Sequence, residues 1–162
     1  MATYTDTLGF NKGTAAAYPD KGRYSLTKLE VQVSLPAISA ARTAAGATAL
    51  ASGDVLEVLR IPAKTQVLAA GVDVITAAGA TLTIDLGDGS DIDGFLDGVN
   101  ANTAAGYSCT TVTVVEGTPN TLSPSMPFGK FYSSADTIDV VFNNAPGVLG
   151  VMNVWAILAD CS

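Results

Sequence analysis

The feature that most constrains the fold is a side-chain period of two, repeated in short segments. Leu29, Val31, Val33 and Leu35 alternate with Glu30, Gln32 and Ser34. Leu82, Ile84 and Leu86 alternate with Thr81, Thr83 and Asp85, and Ile138, Val140 and Phe142 alternate with Thr137, Asp139 and Val141. Successive side chains of a strand point to opposite faces, so each segment reads as a strand with one face in a core. Further strands are predicted over 54–61, over 66–76 with a bend at Gly71, at Val112–Val114, around Phe128–Tyr132 and over Val148–Leu158. Pro36, Pro62, Gly117-Thr-Pro-Asn120 and Asn143-Asn-Ala-Pro-Gly147 punctuate them. Ala77-Ala-Gly79 reads as the turn of a hairpin joining 66–76 to 81–86. The helical period is almost absent: a short helix near 38–45, stopped by Gly46, competes with a closely packed loop. About eight strands at short spacing predict an all-β chain, an antiparallel β-sandwich. Eight strands fit a jelly roll, and a plain Greek-key sandwich is the alternative.

Both faces of Val148–Leu158 are apolar: Val148, Met152, Val154 and Leu158 on one, Leu149, Val151, Trp155 and Ile157 on the other. An antiparallel strand normally turns one face to water, so this pattern predicts a central strand covered on both sides, the outer one by a neighbouring subunit. Composition points the same way. Charged residues are 14% of the 162, against roughly 25% in an ordinary soluble domain. A membrane reading competes, but the apolar run Val148–Ala159 is shorter than the roughly 20 residues of a spanning helix, and Asn153 interrupts it. The first residues show neither a basic nor an apolar signal region, so no secretory leader is expected. A net charge of −7 argues against a nucleic-acid partner.

The chain contains no histidine. That excludes Ser-His and Cys-His nucleophilic catalysis and His-ligated zinc, and no physiological-pH switch is expected. Cys109 and Cys161 lie far apart and outside any CxxC pattern, and free thiols are the expectation. No enzyme activity and no cofactor are predicted.

Asp85-Leu-Gly-Asp-Gly-Ser-Asp-Ile-Asp-Gly-Phe-Leu-Asp-Gly98 concentrates carboxylates and glycines, which raises calcium, with Asp88, Asp91 and Asp93 as ligands. The EF-hand spacing fails. With Gly94 at the sixth loop position, Gly89 falls at the first and Asn100 at the twelfth, where carboxylates are required. The favoured reading is a sandwich corner. Its glycines take positive φ, its Asp side chains close Asx-turns, and a helical turn over 94–99 is capped by Asp91 or Asp93. A paired-carboxylate glycosidase lacks an aromatic sugar platform outside the leading segment. Gly87-Asp-Gly89 places negative charge where a phosphate would sit.

Residues 1–27 form an extended N-terminal arm ahead of a sandwich domain at 28–162. The arm is polar and without period, yet holds Tyr4, Phe10, Tyr18 and Tyr24. A solvated linker is aromatic-poor, whereas aromatics along an extended segment suit docking on a partner. The competing reading tucks them onto the arm's own domain. Residues 1–42 carry a net charge of +2 and the remainder −9, which suits an arm that docks on an acidic neighbour.

The runs Val58-Leu-Arg-Ile-Pro-Ala-Lys-Thr-Gln-Val-Leu68, Gly71-Val-Asp-Val-Ile-Thr76 and Ile84–Gly98 resemble structural proteins of tailed bacteriophages. More particularly, they are similar to small head decoration, or cement, proteins, including those of cyanophages. The resemblance covers roughly residues 28–100. It implies a virion structural protein on the outer surface of the capsid, assembled in the host cytoplasm. It implies a homotrimer that binds across neighbouring major capsid protein subunits through N-terminal arms. Tyr4, Phe10, Tyr18, Arg23 and Tyr24 are then the candidate partner contacts. The rival from another class is a ligand-binding sandwich, either a head-fibre or tail adhesin or a calcium-dependent carbohydrate module.

Overall fold

The computed structural model describes residues 3–4, 26–79, 81–103, 106–109, 113–114 and 129–161. Among them, β1 (Thr3–Tyr4), β3 (Val55–Ile61), β5 (Thr83–Asp88), β6 (Asp91–Asn100) and β10 (Asp136–Phe142) form one sheet in the order β1-β3-β10-β5-β6. The second sheet has the order β2-β11-β4-β7-β8, from β2 (Leu26–Ser34), β4 (Thr65–Thr76), β7 (Gly106–Cys109), β8 (Thr113–Val114) and β11 (Val151–Asp160). There β9 (Lys130–Tyr132) also pairs with β4. The chain is an all-β sandwich. Its pairings are antiparallel except β1 on β3. Eight strands have four residues or more, and in chain order they are β2, β3, β4, β5, β6, β7, β10 and β11. The first, eighth, third and sixth of these neighbour one another in one sheet, and the second, seventh, fourth and fifth in the other.

The alternation seen in the sequence sets which side chains meet between the sheets. Leu29, Val33, Val67, Val72, Val74, Met152, Val154 and Leu158 come from the second sheet, and Leu56, Ile61, Ile84, Leu86, Leu96, Ile138, Val140 and Phe142 from the first. All are buried, and each contributes roughly 1.5–3 kcal/mol relative to exposure. The single described helix, α1 (Leu35–Ala44), packs Leu35 and Ile38 on this core. Ser34 caps it by accepting from the Ala37 N–H at 3.4 Å. Gly46, at φ 65°, ends it, as the sequence predicts.

Two expectations are corrected. The hairpin of 66–76 with 81–86 does not form, because β4 and β5 lie in opposite sheets. Ala78 and Leu82 are buried between the sheets, so the link dives through the core edge rather than folding back. Ala78 N–H donates to the Ala101 carbonyl and Ala101 N–H to the Leu82 carbonyl, which ties that crossover to the end of β6. The last strand begins at Val151, not Val148. Gly150 adopts φ 109°, a value closed to L side chains, and turns the chain into β11. Val148 and Leu149 stay exposed ahead of it.

Candidate functional site

The acidic stretch folds as the β5–β6 hairpin, and the expected helical turn over 94–99 is absent. Asp88 pairs with Asp91 across a two-residue turn, Gly89-Ser90. Asp88 Oδ1 closes that turn by accepting from Ser90 N–H (2.9 Å), Ser90 Oγ (2.7 Å) and Asp91 N–H (3.1 Å). The Asx-turn expectation therefore holds at Asp88, on a hairpin rather than a helix cap. Strand geometry prevails because Phe95, Leu96 and Val99 all need burial on the sandwich core. The register slips between Ile84 and Leu86 and again between Leu86 and Asp88. Residues 92–95 thus stand against Gly87 alone, so the strand bulges where the Asp and Gly residues break the alternation.

Asp88 is not displayed to solvent. It is buried, its Oδ2 accepts from the Tyr132 hydroxyl at 2.6 Å, and it is ion-paired with Lys130. Lys130 Nζ also donates to Ser90 Oγ at 2.9 Å. Burial pushes the Asp88 carboxyl up, but the hydrogen bonds from Lys130, Tyr132 and Ser90 outweigh it and hold the group at about 2. Because β9 belongs to the other sheet, this cluster latches the two sheets together at one end. Asp85 Oδ1 makes a tie within the first sheet, accepting from Gly98 N–H on β6 and from Asn143 Nδ2 just after β10, both at 2.7 Å. Asp91 and Asp93 lie side by side, and their mutual hydrogen bond raises Asp91. The proposed calcium trio is thus divided between an internal latch and a surface pair. Among the described residues, no three acidic or thiol side chains are placed to hold a metal.

Of the candidate partner contacts, the structure places only Tyr4, whose backbone pairs with Leu56 at the edge of β3. Phe10, Tyr18, Arg23 and Tyr24 lie outside the described residues. Cys161 is a free, exposed thiol.

The two sheets present different outer faces. On the second sheet, register aligns Leu26, Ala159, Gln66 and Phe131 in one row across β2, β11, β4 and β9. Lys28, Ile157 and Ala69 form the next row, then Glu30, Trp155 and Gly71. Leu26 is 66% exposed and Phe131 54%, and Leu68 and Ile75 are exposed on β4. The Trp155 indole leans over β4, where Nε1 donates to Asp73 Oδ1 at 3.4 Å. Lys28 Nζ covers the ring, 5.9 Å from its centroid. The doubly apolar β11 is central, as expected, with its outer residues half-buried. The first sheet instead sets Glu57, Asp139 and Gly87 in one row, above a row containing Asp85. Sequence reasoning missed Leu26, Leu68 and Phe131 as surface residues. Their face depends on register between distant strands, which local alternation does not encode.

No protein-family model matches the chain, and no curated protein does. Solved structures do resemble it in fold. A chain in the capsid of Ralstonia phage GP4 aligns with a TM-score of 0.56 at 14% identity, covering 91% of each chain. A chain of the cyanophage Pam1 capsid asymmetric unit aligns at 0.49, with 14% identity over 89% of this chain and 91% of that one. A chain from the acidic stable capsid of Helicobacter pylori bacteriophage KHP30 aligns at 0.45, with 14% identity over 85% and 87%.

Proposed function

We infer that this chain is a virion structural protein of a tailed phage, a decoration or cement protein of the head. It acts as a homotrimer that binds across neighbouring major capsid protein subunits on the outer surface. The observation that carries the reading is the apolar row on the second sheet, where Leu26 and Phe131 stand exposed beside Leu68, Ile157 and Ala159. A soluble chain keeps such a patch when another subunit covers it. The fold likeness to a phage capsid chain over 91% of both lengths supports the setting. The interleaved strand order supports the jelly-roll assignment.

In this reading the sandwich body makes the trimer, and the 1–27 arm, whose Thr3–Tyr4 pairs with β3 and whose last two residues open β2, reaches the capsid. Three arms on one trimer raise affinity through effective concentration, so weak single arms suffice. Tyr4, Phe10, Tyr18, Arg23 and Tyr24 supply the contacts. Sedimentation velocity should show a trimer, and the protein should co-sediment with expanded heads at fixed stoichiometry. A chain lacking residues 1–25 keeps β2 whole, because that strand starts at Leu26, and loses from the described strands only the two-residue β1. It should remain trimeric and lose head binding. A monomer throughout the micromolar range would remove the assembly reading. Glycan binding abolished by a chelator would instead support the adhesin class.

A further inference from the structure

Asp139 is the anomaly of the described residues: it alone has a buried side-chain oxygen, Oδ1, without a hydrogen-bond partner. Its strand, β10, lies inside the first sheet between β3 and β5, and Asp139 itself is 6% exposed. Ile138, Val140 and Phe142 fill the core, so the alternation turns Asp139 to the other side of the sheet. Something must cover that side. The register puts Glu57 and Gly87 directly beside Asp139, and directly paired residues share a face.

Gly87 shows what covers that side among the described residues. A Cβ built there would lie 2.1 Å from the Asp91 carbonyl oxygen and 2.3 Å from the Ile92 carbonyl carbon. The bulged main chain of β6 therefore lies flat on Gly87, on the face to which Asp139 points. The flap is the four residues Asp91–Gly94, from the ladder pair with Asp88 into the bulge, held at its Asp88 end by the Ser90 turn and at the other end by buried Phe95 and Leu96.

The described charged groups that act on Asp139 are acidic: Glu57 facing it from β3, Asp136 on its own strand and Asp88 on β5, while the flap carries Asp91 and Asp93 at its surface. Of the cations, Lys130 is paired with Asp88, and Arg60 stands opposite Thr137 on β3. Tyr132 on β9 donates to Asp88. Among the described residues a carboxylate in this setting has neither a counter-charge nor a donor for Oδ1, whereas the neutral acid needs no counter-charge and costs far less to bury.

We propose that the Asp91–Gly94 bulge is a proton-gated flap: it lies closed on Gly87 while Asp139 holds a proton, and it lifts to hydrate Asp139 when that proton leaves. Burial, reinforced by Glu57, Asp136 and Asp88 and only partly offset by a hydrogen bond from Thr137, pushes Asp139 up to about 7, which places the transition at neutrality. The flap is suited to move. It carries alternating carboxylates, and Ile92 is exposed rather than anchored in the core. Local opening needs only the flap's own contacts to break, not the sandwich.

The test is amide hydrogen exchange of the whole protein at pH 6 and pH 8, corrected for intrinsic exchange rates. Protection over 91–94 should fall by about tenfold or more at pH 8 relative to pH 6, while β11 keeps its protection. In Asp139→Asn, an uncharged isostere, protection at both pH values should equal that of wild type at pH 6. Unchanged protection in wild type, or the same loss in Asp139→Asn, would overturn the proposal. A 13C NMR titration of the wild-type Asp139 carboxyl needs no variant. Ionisation near 7 is expected, and ionisation near the ordinary 4 would equally overturn it.

Discussion

Asp88 and Asp139 are both buried carboxyls of the first sheet, and their surroundings give them opposite effects on stability. Asp88 is held at about 2 by donors, below its value in an unfolded chain near 4. It contributes on the order of 2 kcal/mol that is fully present above pH 4 and is lost as pH falls toward 2. Asp139 is raised to about 7. Between pH 4 and 7 the folded chain keeps a proton that the unfolded chain has released, so stability falls as pH rises through that window. The loss reaches a few kcal/mol at most, because opening of the flap relieves part of it. These two groups place the optimum near pH 4 rather than at neutrality, which urea titrations from pH 2 to 8 would read directly. In Asp139→Asn the decline between pH 4 and 7 should flatten. A wild-type profile that rises from pH 4 to 7 would show that other carboxylates dominate. Tyr132→Phe removes one donor from Asp88 while keeping the buried ring, and should cost about 1–2 kcal/mol in the same titration at neutral pH.

At the level of the β5–β6 hairpin, two glycines separate what the backbone needs from what packing needs. Gly98 takes φ 66°, and a Cβ there would enter open space, with no atom within 4 Å. Gly98→Ala therefore meets only backbone strain, about 1 kcal/mol. Gly87 has no positive φ, but a methyl there would strike the Asp91 and Ile92 main chain. Gly87→Ala should therefore cost about 3 kcal/mol or more and expose the Asp91–Gly94 segment to proteolysis. Equal losses at the two positions, in thermal melts, would contradict the flap lying on Gly87. The same hairpin shows how far the sequence can be read. β2, β5 and β10 are legible because their alternation is local, and β3 because a short apolar run closed by Pro62 reads as a strand. β6 is not, because Asp and Gly interrupt its pattern and the bulges that absorb them are set by β5. The β4–β5 crossover escapes local reading because a Gly-containing turn fits both a hairpin and a switch of sheets. Buried Ala78 and Leu82 decide between these, and that burial depends on the distant Ala101.

For the whole molecule, the contrast between its faces decides how it can assemble. The first sheet carries half-buried Glu57, Asp91 and Asp93 on its outer side, over buried Asp85 and Asp139, so two such faces brought together would repel. The second sheet turns out Leu26, Ile157, Ala159 and Phe131 in adjacent rows, with Trp155 beside them. Self-association through the second sheet therefore removes apolar surface, and the Asp73 carboxylate on that face keeps its hydrogen bond from the Trp155 indole. Lys28 and Glu30 at its margin are already paired with each other. Phe131 is the most discriminating position, since its ring is largely exposed and belongs to no core cluster. Phe131→Ser should leave the stability of the dissociated chain within about 0.5 kcal/mol, as surface substitutions do. It should weaken self-association by a factor of about ten or more, because an aromatic anchor at an interface centre is worth about 2 kcal/mol. Sedimentation equilibrium of both proteins, with melts at matched concentration, separates the two effects. If Phe131→Ser assembles as wild type does, the second sheet is not the contact face, and the β2 edge becomes the surface to test. If it instead unfolds the chain, Phe131 packs against the protein's own body and the apolar row is part of its core.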